Sequence, residues 1–112
     1  MYDIVMHLAL HAAEYIIRKG YCRYFFHEES IGGMLYLTNN RLCFRPHPIH
    51  RDTPPIDDIV LGTIEDIILP VKLGIFSQGI RLILRDKSDT IAFTVWRRKI
   101  WQKAIKMACL SL

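Results

Sequence analysis

The chain has 112 residues, of which 51% are apolar and 23% charged, enough for one globular domain that buries about two-thirds of its unfolded surface. No apolar run approaches the roughly 20 residues that a membrane-crossing helix requires. The formal net charge of +4 permits attraction to anionic partners without demonstrating it.

Residues 2–14 have a helical pattern. Asp3, His7, His11, Glu14 and Arg18 fall at spacings of four, four, three and four, forming one narrow polar stripe. Nearly every other position is apolar, so the predicted helix requires contact around most of its circumference, within this domain or against another subunit. The acidic and imidazole groups here do not resemble a secretory leader, so export by that route is not expected. The stripe would carry the helix on to Arg18, but Gly20 and the aromatic run over 21–26 suit a strand and a break near Gly20.

His27, Glu28 and Glu29 open a turn before two strand-length apolar runs separated by Thr38, Asn39 and Asn40, residues that turn readily and bond their own backbone. A period of two puts Leu35 and Leu37 on one face and Met34, Tyr36 and Thr38 on the other. In the return strand Leu42 and Phe44 share a face opposite Arg41, Cys43 and Arg45, so the arginines point that second face to solvent. Pro46, Pro48, Pro54 and Pro55 then predict a loop. Strands are expected at about 58–61 and 64–69, separated by Gly62 and Thr63. A loop follows over 70–78. Ile80, Leu82 and Leu84 alternate in the next strand, and Ile91, Phe93 and Val95 in the last, with a turn over 86–89 between them. A helix begins near Arg97, with Ile100, Trp101, Ala104, Ile105 and Ala108 as its apolar stripe and Arg98, Lys99, Gln102, Lys103 and Lys106 as its wet face.

The segment Gly32-Gly33-Met34-Leu35-Tyr36-Leu37-Thr38-Asn39-Asn40-Arg41-Leu42-Cys43-Phe44 resembles the signature of the GRAM domain, a relative of the pleckstrin-homology fold. The likeness extends through Ile64-Glu65-Asp66-Ile67, Gly79 to Asp86, Phe93 to Trp96, Arg98 and Trp101, in the order of bacterial single-domain members. It implies a mainly β (α+β) fold: a bent, partly open barrel of seven antiparallel strands capped by the C-terminal helix, with Trp101 as the plug. It starts the first strand near Tyr15. The expected division is thus an N-terminal helical extension at residues 1–14 and a GRAM-like domain at 15–112. Arg97 departs from the pattern, since related members often carry an asparagine there that could cap the helix.

Chemistry has few candidates. His7 and His11 have the i, i+4 spacing of paired metal ligands, but Leu8 stands where a zincin carries glutamate, and a solvated stripe is the preferred reading. His47 and His50 lie in the proline-rich loop without a nearby cysteine. Ser30, Ser77, Ser88 and Ser111 are expected in turns or at the terminus, outside any nucleophile elbow. Cys22, Cys43 and Cys109 form no C-x-x-C pair, which suits small core residues in a reducing cytoplasm. No catalytic residue, metal or cofactor is expected. Pleckstrin-homology domains that hold inositol phosphates gather basic residues around the first strands, where His27-Glu28-Glu29 would instead repel a polyphosphate. Nucleic acid is disfavoured because aromatics are not evidently interleaved with the basic helix face. The sequence therefore points to a cytoplasmic, non-catalytic binding module working through protein contact, including contact with itself. The alternative is peripheral attachment to anionic membrane. The candidate contact is the apolar loop over 71–79, with Leu73, Ile75 and Phe76 near its tip and Lys72 and Arg81 beside it; the competing reading folds these apolar residues down to seal the sheet.

Overall fold

The computed structural model describes residues 8–26, 29–50, 57–70, 79–85 and 90–112. The described strands are β1 (Ile16–Phe26), β2 (Glu29–Thr38), β3 (Arg41–Pro46), β4 (Ile59–Val60), β5 (Ile64–Ile68), β6 (Gly79–Leu84) and β7 (Thr90–Val95). They form one antiparallel sheet in the order β4-β3-β2-β1-β7-β6-β5, followed by helix α1 (Arg98–Leu110). The edge strands β4 and β5 are joined by one 3-10 turn, Leu61–Thr63. The chain can pass so briefly from one edge to the other only because the sheet bends round on itself. α1 packs on this turn and on β5, β6 and β7.

The alternation expected in the sequence sets the concave face. Leu35, Leu37, Leu42, Phe44, Ile80, Leu82, Phe93 and Val95 meet Trp101 and Ile105 of α1 in one core. Each such side chain contributes about 1.5–3 kcal/mol on burial. Trp101 fills the mouth of the sheet, 2% exposed. β1 runs through Gly20 without the expected break, pairing it with Leu35, and a Cβ there would stand 3.4 Å from the Trp101 ring, an ordinary contact. At Gly33 a Cβ would lie 2.3 Å from the Arg45 carbonyl oxygen and 2.8 Å from the Phe44 ring, a space only glycine leaves open.

The predicted hairpin is present, with β2 ending at Thr38 and β3 starting at Arg41. Its second face, however, is covered. Leu8 is buried against Tyr36 and Cys43, with Met34 beside them, making a small second core outside the sheet. Residues 8–14, the described part of the expected N-terminal helix, are non-helical chain with a turn at Ala12 and Ala13. Ala13 takes a φ of 63°, in the left-handed region. Residues 1–7 lie outside the described part, as do the turn over 86–89 and most of the proline-rich loop. Ser30, expected in a turn, lies in β2.

Candidate interaction surface

The polar residues of the hairpin turn bind the incoming chain. Asn39 Oδ1 accepts from the Tyr15 amide at 2.9 Å, while its Nδ2 donates to the Ala13 carbonyl at 3.2 Å. Arg41, expected on the solvent face, is 7% exposed because the segment over 8–14 lies across it. It donates from Nε and Nη2 to both oxygens of Glu14, at 2.8 and 2.9 Å, and from Nη2 to the Ala9 carbonyl at 2.8 Å. Its Nη1 reaches Asp58 at 2.5 Å, and Asp58 also accepts from Arg45 at 2.8 Å. Thr38 Oγ1 donates to Glu14 at 2.7 Å, and the His11 amide adds a further bond at 2.9 Å. Glu14, assigned by its spacing to a solvated stripe, therefore belongs to a buried ion cluster. The Arg41 hydrogen bonds dominate and hold its carboxyl down at about 2, against the opposing effect of burial. The Arg41 guanidinium is pushed upward, first by its bond to Glu14. Burial raises the Asp58 carboxyl, but Arg45 and Arg41 outweigh it and leave a net lowering.

Cys22 and Cys43 are buried, which disfavours their thiolate forms. Burial pushes Cys43 up to about 12, helped by the Asp58 charge, and moves Cys22 upward as well. Among the described residues, no group of three or more His, Cys, Asp or Glu is placed to hold a metal.

A different arrangement lies where β1 begins. Its register slips between Ile16 and Arg18, leaving Ile17 as an extra residue. Such a bulge re-aims a side chain. Ile17 lines a groove of about 660 Å³ with Tyr15, Ala104, Met107 and Leu112, and Asn39 and Asn40 contribute polar lining. Ile100, Ala104 and Met107 recur at i, i+4 and i+7, forming one apolar stripe on α1. Ile100, expected in the core, is 43% exposed, and Met107 57%. The reason is the angular width of the helix's apolar arc: Trp101, Ile105 and Ala108 already fill the mouth, and the arc extends past it. Arg98, expected on the wet face, is half-buried on the opposite flank and donates to the Pro70 and Gly79 carbonyls. Lys99, Lys103 and Lys106, at i, i+4 and i+7, make the exposed row beyond the apolar stripe. Arg18 lays its guanidinium over Trp101, 5.3 Å from the ring centroid, and its buried Nε has no hydrogen-bond partner.

A second exposed feature marks the joint between β7 and α1. Trp96 is 76% exposed, with the Arg97 guanidinium 4.9 Å from its ring centroid. Arg97 occupies the N-cap position with a φ of 60° and caps nothing with its side chain. Tyr21, 69% exposed, precedes the Cys22–Val95 pair on β1 just as Trp96 follows it on β7. Of the contact residues proposed from sequence, Arg81 is half-buried in β6 and donates to Thr90 Oγ1 at 3.0 Å. Lys72, Leu73, Ile75 and Phe76 lie outside the described residues. Sequence reasoning missed Tyr15, Ile17, Met107 and Trp96; the excess apolar width of α1 was the available signal for the groove.

No protein-family model and no curated protein sequence matches the chain. Solved structures do. The C-terminal domain of an unknown protein from Leishmania infantum superimposes with a TM-score of 0.74 at 23% identity, over 88% of this chain and 87% of that one. The Vps36 N-terminal PH domain gives 0.69 at 14% identity, over 96% and 87%. The N-terminal PH domain of human ARAP2 gives 0.62 at 11%, over 84% and 79%. With the bent seven-stranded sheet and its C-terminal helix, these likenesses establish a pleckstrin-homology-like fold. No helix among the described residues is long and apolar enough to cross a membrane.

Proposed function

We propose that this chain is a non-catalytic binding module of the GRAM type, acting in the cytoplasm through protein contact at the groove between β1 and α1. The observation that carries the reading is the exposure of Ile17 and Met107 across one groove, with exposed Ile100 on the same apolar stripe of α1 as Met107. Burying such side chains supplies about 1.5–3 kcal/mol each, enough together for reversible docking. The ionised groups that are buried serve another end: the Glu14–Arg41–Asp58 cluster is consumed in fastening the segment over 8–14. A Met107→Glu variant tests the reading, because this exposed position tolerates charge without loss of fold. Wild-type protein should capture a partner from its native cell that the variant, at unchanged melting temperature, does not. Equal capture by both would refute the assignment.

A second reading is peripheral contact with an anionic membrane, favoured by the exposed Trp96–Arg97 pair with Tyr21. An amphipathic ring beside a cation suits the headgroup boundary. Sedimentation with phosphatidylserine vesicles that is lost in Trp96→Ala would support it. Sedimentation unaffected by that change would remove it.

A further inference from the structure

We infer that the β1–α1 groove takes an acidic amphipathic segment of a partner protein, with its apolar side chains between Ile17 and Met107 and its carboxylates against Arg18 and the lysine row of α1. This rests on the proposed protein-contact role and adds the chemistry of the occupant.

Three observations converge. The groove is concave, walled by the bulged start of β1 on one side and α1 on the other, with Asn39 and Asn40 in its lining. A narrow rod of side chains fits such a shape, whereas a bilayer surface meets convex features. The side chains lining the groove carry no charge, and the two elements that wall it carry only basic groups: Lys99 and Lys103 are exposed on α1 and Lys19 on β1, with Arg18 of β1 over Trp101 of α1. The Arg18 side chain makes no hydrogen bond or ion pair to any described residue, and its Nε is buried without an acceptor. A guanidinium is a planar donor that suits a two-oxygen acceptor, which a carboxylate provides. The Nε itself is sealed from solvent, but Arg18 as a whole is only half-buried, and its terminal nitrogens, engaged by no described residue, are the donors left for a carboxylate from a partner. A second copy of this chain is the poorer occupant, since pairing α1 with itself would bring two lysine rows together.

The experiment is selection of a displayed library of random 16-residue peptides on the full chain, followed by titration of one synthesised recovered peptide. Recovered sequences should carry apolar residues at helical spacing with an excess of Asp and Glu. The chosen peptide should lose about tenfold or more in affinity on Met107→Glu, and about tenfold on Arg18→Met with a shallower salt dependence. Arg18→Met keeps an aliphatic chain over Trp101, and an unchanged melting temperature confirms that its fold is intact. Recovered peptides that depend on Met107 but lack acidic excess, or ignore Arg18→Met, would overturn the acidic-occupant inference and leave the protein-contact reading standing. Binding that survives Met107→Glu would overturn both. So would failure to recover any peptide, together with phosphatidylserine vesicle binding abolished by Met107→Glu. Failure to recover any peptide without vesicle binding overturns this inference alone.

Discussion

Arg41 makes four of its five possible donor contacts inside the protein, to Glu14 twice, to the Ala9 carbonyl and to Asp58. A charge buried this far is tolerable only while its partners are ionised and in place. Glu14→Gln should therefore cost about 3–5 kcal/mol, read as a lowered urea midpoint. Replacing both partners together, Glu14→Leu with Arg41→Met, should recover much of that loss, because no unpaired charge remains. The same pair sets a pH dependence. The folded Glu14 carboxyl sits at about 2 against an ordinary 4.5, so the unfolded chain binds its proton first as acid is added. Its contribution is complete above about pH 4.5 and is lost as pH falls from there towards 2. Urea midpoints measured at pH 6, 4 and 3 should fall steeply in the wild type and less in Glu14→Gln; parallel slopes would contradict the assignment. Gly33 makes a separate residue-scale case. Gly33→Ala should destabilise by about 1–3 kcal/mol, since the methyl group meets the Arg45 carbonyl, which cannot move without breaking the β2–β3 ladder.

The strands show how far the sequence could be read, and where it failed. Those with one face on the core alternate visibly, so β2, β3, β6 and β7 were legible from period two alone. Leu42 and Phe44 point inward as expected. The arginine argument was half right: Arg41 and Cys43 do face away from the main core, but a second layer covers them. Over residues 8–14, a segment strapped across a sheet carries apolar residues and polar anchors at positions set by its turns, and there that mixture imitates an amphipathic helix. The Glu14–Arg41 pairing is 27 residues apart in sequence, and no local pattern encodes it. In α1 the periodicity was correct, yet Ile100 could not be assigned to core or groove because both lie on one apolar arc. The same helix carries the core anchor. Trp101→Ala should cost about 3–5 kcal/mol in thermal or urea unfolding; an unchanged melting temperature would contradict its role as the plug. Deleting residues 1–14 should expose Tyr36 and Cys43 and leave Arg41 without Glu14, with lower stability as the result. A truncated chain of equal melting temperature and solubility would show that the strap contributes nothing.

Across the whole molecule, the two kinds of polar chemistry are segregated. One side of the sheet spends Glu14, Arg41, Arg45 and Asp58 on each other to fasten the chain entry. The far edge of α1 keeps its lysines and apolar stripe exposed to solvent, beside the bulge that turns Ile17 towards them. The proposed contact function belongs to this second region, where an apolar groove lies open beside exposed cations. The most direct measurement is site-specific photocrosslinking in the native cell, with a photoreactive phenylalanine analogue in place of Met107 and, as the control, in place of exposed Thr90. The account predicts discrete crosslinked polypeptides from position 107 and none from position 90. Crosslinks absent at position 107, or the same set of products from both positions, would contradict it.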